Sequence, residues 1–225
     1  DDVPIQLGSI VRSESADLVR GLYVIIDPQV TGGRDPLEIA QAAIRGGARM
    51  LQLRDKLRDK GESLPLARSL QKLCMESGAL LIINDHADLA VACDAHGLHL
   101  GQHDLPIKEA RAILRPHQII GKSNALLGEA LESERQGADY LAVGAIFPTD
   151  TKEKTRPAGL ETLEQVKARV SVPVVAIGGI NKDNVIQVMQ AGADASCVIS
   201  AVIGDPDPEE AARRLVESMS SLSPY

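Results

Sequence analysis

Eight short apolar runs recur along this chain, and each is followed by a segment whose apolar residues have helical spacing. Strands that alternate with helices in this way form a parallel sheet. Polar residues follow nearly every run, whereas an open doubly wound sheet concentrates its ligand groups at one switch point. The sequence therefore predicts an α/β fold, a closed (β/α)8 barrel of the TIM type, with its active site on the loops that follow the strands.

The bounds of these elements can be predicted from the hydrophobic pattern and from glycine and proline positions. The predicted strands are residues 22–27, 49–54, 80–84, 97–101, 118–123, 139–144, 173–178 and 195–200. The predicted helices are residues 36–45, 63–77, 86–93, 106–114, 127–136, 160–169, 181–190 and 208–219. Glycine-containing segments at 46–48, 137–139 and 192–194 precede strands and are predicted to be turns on the barrel floor, where glycine ends a helix.

The eightfold pattern predicts a single barrel domain over residues 21–219, followed by a tail at 220–225. Residues 1–20 are predicted to be an N-terminal extension. Within it, residues 10–19 could form a loosely docked helix on the barrel floor, with a frayed segment as the alternative. The chain starts at Asp1 rather than Met, so the sequence leaves open a leader before residue 1.

Composition excludes several classes of partner. One Phe, three Tyr and no Trp leave no platform on which single-stranded nucleic acid could stack, and a net charge of -7 disfavours a phosphate backbone. No apolar run reaches the roughly 18 residues that a membrane span needs. Three irregularly spaced cysteines fit neither a disulfide framework nor a zinc site. We therefore expect reduced thiols in a cytoplasmic protein that binds neither nucleic acid nor membranes.

Two cations, Arg54 and Lys56, come directly after the second strand. In an extended segment they project to the same side, which suits recognition of a polyanion. A solvated charge cluster over residues 54–60 is the alternative.

Carboxylates follow the third and fourth strands. Asp85 comes after Asn84 at the end of an apolar run, and Asp104 follows the next run. Carboxylates from neighbouring strands can share Mg²⁺, which usually takes one or two of them together with substrate phosphate oxygens. Asp85 could instead cap the next helix. Nearby histidines lack the spacing of a transition-metal site.

The late loops carry a pattern typical of phosphate binding. Thr149 and Thr151 alternate in a predicted loop beside Lys152, although this segment is not a Walker loop. Gly179 after the seventh strand, and Ile199 with Ser200 after the eighth, occupy the positions where TIM barrels bind phosphate.

Ser123 lies outside any nucleophile elbow, so we interpret it as a hydroxyl donor to phosphate rather than as a nucleophile. A site with two anionic subsites, one with a metal, suggests that two phosphorylated small molecules are joined and that one of them loses pyrophosphate.

Together these motifs resemble the thiamine phosphate synthase family over roughly residues 21–219. The residues that carry the resemblance are QLRDK (52–56), IND (83–85), GLHLGQHDLP (97–106), PTDTK (148–152), AIGGI (176–180) and VIS (198–200). It implies condensation of hydroxymethylpyrimidine pyrophosphate with thiazole phosphate, with release of pyrophosphate. It also implies a Mg²⁺ cofactor and a reaction in which the carbon–oxygen bond breaks first.

The resemblance also implies a role for each site residue. Gln52 would hold the pyrimidine, and Asp85 and Asp104 would bind Mg²⁺. The pyrophosphate ligands would be Arg54, Lys56, Asn84, Ser123 and Lys152, of which all but Asn84 would be catalytic. The thiazole phosphate ligands would be Thr149, Thr151, Gly179, Ile199 and Ser200.

The chain departs from the family pattern at five positions. Ala145 stands where Pro is common, and His103 stands where an acid is common. Ser196 replaces a usual Gly, which could reshape the phosphate site. Lys122 and Asn124 replace smaller or less charged residues beside Ser123, which could change pyrophosphate affinity.

Other functions remain alternatives at this stage. A thiazole tautomerase or a regulatory relative would not need Arg54, Lys56, Asp85 and Asp104 together. A phosphate-ligand sensor would not turn over substrate. A phosphosugar isomerase would require an acid/base pair. The sequence leaves the oligomeric state open, with a homo-oligomer as one alternative.

Overall fold

The computed structural model describes residues 14–149 and 156–221. Eight parallel strands form a closed barrel in chain order, and the eighth pairs with the first. The strands are β1 (Gly21–Ile26), β2 (Met50–Leu53), β3 (Leu80–Asn84), β4 (Gly97–Leu100), β5 (Ile119–Asn124), β6 (Tyr140–Val143), β7 (Val174–Ile177) and β8 (Ala195–Val198). The predicted (β/α)8 TIM barrel is confirmed.

Helices cover the outside of the barrel. They are α1 (Pro36–Arg45), α2 (Lys60–Ser77), α3 (Ala87–Ala92), α4 (Ile107–Ile113), α5 (Leu127–Arg135), α6 (Gly159–Lys167), α7 (Val185–Gln190), α8 (Ser200–Ile203) and α9 (Pro208–Ser220). The short helix α8 is absent from the sequence prediction, because four residues give too little periodicity to detect.

Helix α7 begins four residues later than predicted. The Asn184 side chain accepts from the Asn181 N–H at 2.8 Å, and the Asn181 side chain accepts from the Asp183 N–H at 2.9 Å. Asparagine side chains that bond to the local backbone in this way favour turns over helix. The helix therefore starts at Val185.

Strand alternation separates two apolar cores. Outward residues of the strands, such as Val24 and Leu51, pack against the helices. Inward residues, such as Ile25, Met50 and Ile82, fill the barrel interior. Because both faces are buried, the strands consist of almost uninterrupted apolar residues, as expected for a parallel sheet.

The barrel floor has the turns that the sequence predicts. Gly47, Gly137 and Gly192 each precede a strand and have φ values of +102°, +92° and +92°. L-residues with a side chain rarely adopt this conformation. The prediction of glycine turns at these three positions is confirmed.

Part of the N-terminal extension lies in the described structure. Residues 14–17 form a helical turn, and Val19, which is 1% exposed, packs with Ala16 against the interior core. Residues 10–13 of the predicted helix lie outside the described residues. Among the residues that are described, none of the helices has both the length and the apolar character needed to cross a membrane.

One glycine makes room for Tyr140, one of the two tyrosines in the barrel interior. A Cβ atom added at Gly121 on β5 would lie 1.9 Å from Cζ of Tyr140, which is fully buried on the neighbouring strand β6. The Tyr140 ring therefore occupies the space that a side chain at position 121 would need. This packing places the Tyr140 hydroxyl within the barrel.

We expect Gly121→Ala to lower the free energy of unfolding by about 1–3 kcal/mol or more, because the added methyl would displace a ring that cannot move outward. Urea denaturation measures the loss. Gly128→Ala is the matched control: Gly128 is exposed in α5, and nothing lies within 4 Å of an added Cβ. It should be neutral or stabilise by up to about 1 kcal/mol. Equal stability of the two variants would show that packing of the Tyr140 ring does not require glycine at position 121.

Candidate active site

A cavity of about 590 Å³ opens at the carboxyl ends of β5 to β8. Its floor is formed by inward residues of the strands, among them Ala142, Ile177 and Cys197. Five of the predicted substrate ligands line it. They are Ser123, Thr149, Gly179, Ile199 and Ser200. Their roles there stay predictions.

Glycines shape the wall of the cavity after β7. Gly178 and Gly179 have φ values of +106° and +64°. A Cβ atom at Gly179 would lie 2.6 Å from the carbonyl oxygen of Pro148 and 2.8 Å from Cβ of Phe147. Glycine at position 179 therefore lets the loop after β6 pack directly against the loop after β7.

Arg34 contacts the C-terminal end of the short helix α8. Its guanidinium donates to the carbonyl oxygen of Asp205 at 2.7 Å and also bonds to that of Ile203. These carbonyls lie at the C-terminal end of α8, where the helix dipole favours a positive charge. The first residue of α8 is Ser200, a predicted phosphate ligand. No local sequence pattern singles out Arg34, on the loop after β1, because its carbonyl partners lie 169 and 171 positions away.

The cations after β2 are held by carboxylates on opposite sides. Arg54 forms a short ion pair with Asp27, which follows β1 and is 2% exposed, and Lys56 forms a short ion pair with Asp85, which follows β3. The sequence analysis placed Arg54 and Lys56 on one side of an extended segment. In the structure, the two cations pair with carboxylates that follow different neighbouring strands.

Asp85 and Asp104 lie within hydrogen-bonding contact. Burial raises the pKa of Asp104, and the bond to Asp85 and its negative charge raise it further. Burial alone would raise the pKa of Asp85, but hydrogen bonds from Asp104 and Lys56 outweigh burial and lower it. Of the two carboxyl groups, Asp104 therefore binds a proton more readily than Asp85. The φ of Asp85 is +63°, an unfavourable value that often marks a functional position.

A network of hydrogen bonds fixes the turn that carries Asp104. The Gly101 N–H donates to Asp104 Oδ2 at 2.6 Å, and the Lys122 ammonium donates to the Gly101 carbonyl at 2.7 Å. Gln102 bonds to the backbone carbonyl of Ser123. Burial lowers the pKa of Lys122, and the nearby Asp104 carboxylate opposes that shift. Lys122 thus supports the Asp104 turn from the outer face of β5.

The pair of carboxyl groups fits a hard divalent cation in its chemistry. Among residues 14–149 and 156–221, no group of three or more His, Cys, Asp or Glu is placed to hold a metal ion. A cation at Asp85 and Asp104 would therefore take its remaining ligands from water or from substrate oxygens, as Mg²⁺ commonly does.

A chain of polar side chains crosses the barrel interior below the cavity. Gln52 Nε2 donates to Tyr23 Oη at 2.7 Å, and Tyr23 Oη lies 3.2 Å from Tyr140 Oη. His99 Nδ1 lies 3.0 Å from Tyr140 Oη, and His99 Nε2 lies 2.8 Å from Ser123 Oγ. We name these five residues the polar relay. It connects two predicted ligands, Gln52 and Ser123, that lie on strands β2 and β5.

The sequence analysis did not single out Tyr23, Tyr140 or His99 as functional. Tyr23 and His99 had a usable signal, because each lies at an inward position of a strand otherwise made of aliphatic residues or glycine. Burial raises the pKa of both tyrosines well above the ordinary value, so both phenols stay protonated at working pH.

The remaining predicted site residues fall into two groups. Asn84 ends β3 beside His99 in the sheet register and is half-buried. Thr151 and Lys152 lie outside the described residues.

All five positions that depart from the family pattern lie within the described residues. The Ala145 N–H donates to the Arg156 carbonyl at 2.9 Å, a bond that proline could not make. Ser196 is fully buried and bonds to the Met189 sulfur of α7 at 3.4 Å, so it faces away from the cavity. His103 is exposed.

Arg156 also forms two hydrogen bonds to the Glu129 carboxylate, at 2.6 and 2.9 Å. Because Arg156 lines the cavity, these bonds fix part of its wall. Asn124 lines the cavity as well, and its amide is held by Ser133 and the Lys122 carbonyl.

The closed barrel places a cavity and paired charges at the carboxyl ends of its strands, which is where enzymes of this fold bind small-molecule substrates. Residues 22–202 match the family model described as thiamine monophosphate synthase. The chain belongs to that family, whose members are transferases.

Relatives of known name agree. The thiamine-phosphate synthase of Moorella thermoacetica is 48% identical over 87% of this chain and 94% of its own length. That of Shouchella clausii is 45% identical over 90% of this chain and 97% of its own length. The structure of thiamine phosphate pyrophosphorylase from Pyrococcus furiosus covers 95% of this chain and 100% of its own, with 40% identity and a TM-score of 0.84.

The Asp27–Arg54 pair yields a prediction about anion binding. We expect Arg54→Gln to weaken binding of inorganic pyrophosphate with Mg²⁺ by about 1.5–3 kcal/mol, the value of a charge-assisted hydrogen bond. Asp27→Asn should also weaken it, because Arg54 loses its fixed orientation. The double variant should bind no worse than Arg54→Gln alone, since coupled residues are not additive. Calorimetric titration measures all three.

The control for this cycle is Asp88→Asn, which removes a carboxylate from an exposed ion pair with Lys60. It should leave pyrophosphate affinity unchanged, because exposed pairs contribute little. Additive losses from the Asp27 and Arg54 variants would mean that Asp27 does not act through Arg54.

Proposed function

We propose that this protein condenses hydroxymethylpyrimidine pyrophosphate with thiazole phosphate to give thiamine phosphate and pyrophosphate. The observation that carries the proposal is that a cluster of cations and carboxylates and a glycine-walled cavity lie at one barrel mouth. Cations and carboxylates gather after β2 to β4, and a glycine-walled cavity lies after β5 to β8. Ser123 belongs to both, because it lines the cavity and bonds to His99 on β4.

The two substrates are assigned to opposite sides of this mouth. Gln52 would hold the pyrimidine ring, and Arg54, Lys56, Asn84, Ser123 and Lys152 would bind its pyrophosphate. Thr149, Thr151, Gly179, Ile199 and Ser200 would bind the thiazole phosphate. The aliphatic and cysteine floor of the cavity supports this assignment, since a thiazole ring is largely apolar.

The reaction exchanges one bond for another at the pyrimidine methylene carbon. The carbon–oxygen bond breaks and its electron pair leaves with pyrophosphate. The lone pair of the thiazole nitrogen then forms the new carbon–nitrogen bond. The nucleophile carries no proton, so no general base is needed. The work of Arg54, Lys56, Ser123 and Lys152 is to position the leaving group and stabilise its charge.

Mg²⁺ would be held by Asp85 and Asp104 and would supply charge neutralisation on the pyrophosphate oxygens. Lys56, which pairs with Asp85, would bind the same pyrophosphate.

We also place the enzyme in the cytoplasm. Cys74, Cys93 and Cys197 are buried free thiols, and burial raises the pKa of Cys74 to about 12, which keeps it unreactive.

We expect chelation to abolish turnover and added Mg²⁺ to restore it, because two carboxylates and a pyrophosphate need a cation between them. Asp104→Asn should raise the Mg²⁺ concentration needed for half-maximal turnover. A coupled assay for pyrophosphate, followed by identification of the condensed product, measures both effects. Asp88→Asn, an exposed carboxylate outside the mouth, is the control. Full activity of an Asp85→Asn, Asp104→Asn double variant without added metal would rule the metal site out.

The dissociative order predicts a steep dependence on ring electronics. If bond breaking leads, positive charge builds on the methylene before the thiazole arrives. An electron-withdrawing group in place of the pyrimidine methyl should then slow single turnover by several orders of magnitude, since about 1.36 kcal/mol of lost stabilisation costs tenfold. Substrate affinity should hardly change, because the ground state carries no such charge. A concerted displacement predicts single-turnover rates that stay within about tenfold across such analogues. That result would contradict the dissociative order.

A further inference from the structure

The heavy-atom positions of the polar relay alone do not fix which atom donates in each of its hydrogen bonds. Tyr23, Tyr140, Gln52 and His99 are between 0% and 7% exposed, and the interior around them is otherwise apolar. Such buried hydrogen-bonding groups are satisfied mainly by one another. Each phenol has a single proton and can donate to only one partner.

With neutral groups, two arrangements of protons satisfy all four bonds and also use both buried phenol protons within the relay. In the first, Gln52 Nε2 donates to Tyr23, Tyr23 to Tyr140, and Tyr140 to His99 Nδ1. His99 Nε2–H then donates to Ser123, whose own proton is free for a ligand. In the second, the Gln52 amide is turned over and every donor becomes an acceptor, so that Ser123 donates to His99. Amide orientation and histidine tautomer are set by such networks.

We propose that an anionic oxygen bound at Ser123 selects the first arrangement, and that the relay thereby sets the Gln52 amide to present its carbonyl oxygen to the pyrimidine. A phosphate oxygen only accepts hydrogen bonds, so Ser123 must donate to it and can no longer donate to His99. The direction of donation at Ser123 then sets the direction at Tyr140, at Tyr23 and at Gln52, which lies 71 positions from Ser123 in the sequence. This inference rests on the proposed function.

The consequence is that the two ends of one substrate are recognised together. A carbonyl oxygen on Gln52 accepts from the amino group of the pyrimidine, whereas the flipped amide would oppose it. The anion and the ring amino group therefore favour the same proton arrangement, and each should strengthen the binding of the other. Tyr23, Tyr140 and His99 act as positioning residues, because the relay works without their touching the reacting atoms.

The coupling can be measured with two fragments, inorganic pyrophosphate with Mg²⁺ and the aminopyrimidine alcohol. We expect pyrophosphate to tighten binding of the alcohol by about fivefold or more in the unmodified protein, within the usual range of coupling between sites. In Tyr140→Phe, which keeps the ring but breaks the relay, the factor should fall towards one. Each fragment alone should still bind within about threefold of its normal affinity.

Two further variants separate this effect from a loss of fold. Tyr23→Phe breaks the relay at a different bond and should also abolish the coupling, so the test survives if Tyr140→Phe does not fold. Ser133→Ala removes a buried hydroxyl that bonds to Asn124 at 2.8 Å outside the relay, and it should keep the coupling. Undiminished coupling in both tyrosine variants, or no coupling in the unmodified protein, would overturn the relay.

Nitrogen NMR of the His99 ring gives an independent readout. With pyrophosphate and Mg²⁺ bound, the first arrangement requires a neutral ring with its proton on Nε2. His99→Gln identifies the signal by its loss. A proton on Nδ1, or on both nitrogens, would refute the proposed direction. If neither pyrophosphate nor the alcohol binds at all, the proposed function fails first. If both bind without coupling, only the relay fails.

Discussion

The closure of the barrel is the constraint on which the rest of this structure depends. Eight strands that pair in a ring exclude water from the interior, and a polar group there must find its partner among the side chains that the ring brings together. Tyr23, Tyr140, His99 and Gln52 meet that condition by bonding to one another. Because Gly121 leaves space for the Tyr140 ring, the relay can cross from one wall of the barrel to the other.

At the mouth of the barrel, charge is arranged by the same geometry. Loops after neighbouring strands lie side by side, so the cations after β2 contact carboxylates after β1 and β3. Arg54 and Lys56 are therefore oriented before any anion arrives, which lowers the entropy lost on binding. Asp85 and Asp104 are brought so close that the negative charge of Asp85 helps to raise the pKa of Asp104, a repulsion that a cation would relieve.

The sequence predicted some features of the fold correctly and others wrongly, depending on which interactions determine them. Strand order and the floor turns at Gly47, Gly137 and Gly192 follow from local pattern, and both predictions are confirmed. The predicted start of α7 was wrong, because side-chain bonds of Asn181 and Asn184 favour a turn over helix. Residues such as Thr149 could be assigned to the mouth simply because they follow a strand, although their ligands stay predictions.

The sequence by itself determined the alternation of strands and helices, the glycine turns, and which polar residues stand at strand ends, since all of these depend on neighbours a few positions away. Only the tertiary structure decided which of those residues are partners. Tyr23 and Tyr140 are separated by 117 positions and Asp27 and Arg54 by 27, yet each pair is in contact. The physical reason is that closure and strand register place distant residues at one height in the barrel, and no local pattern encodes that height.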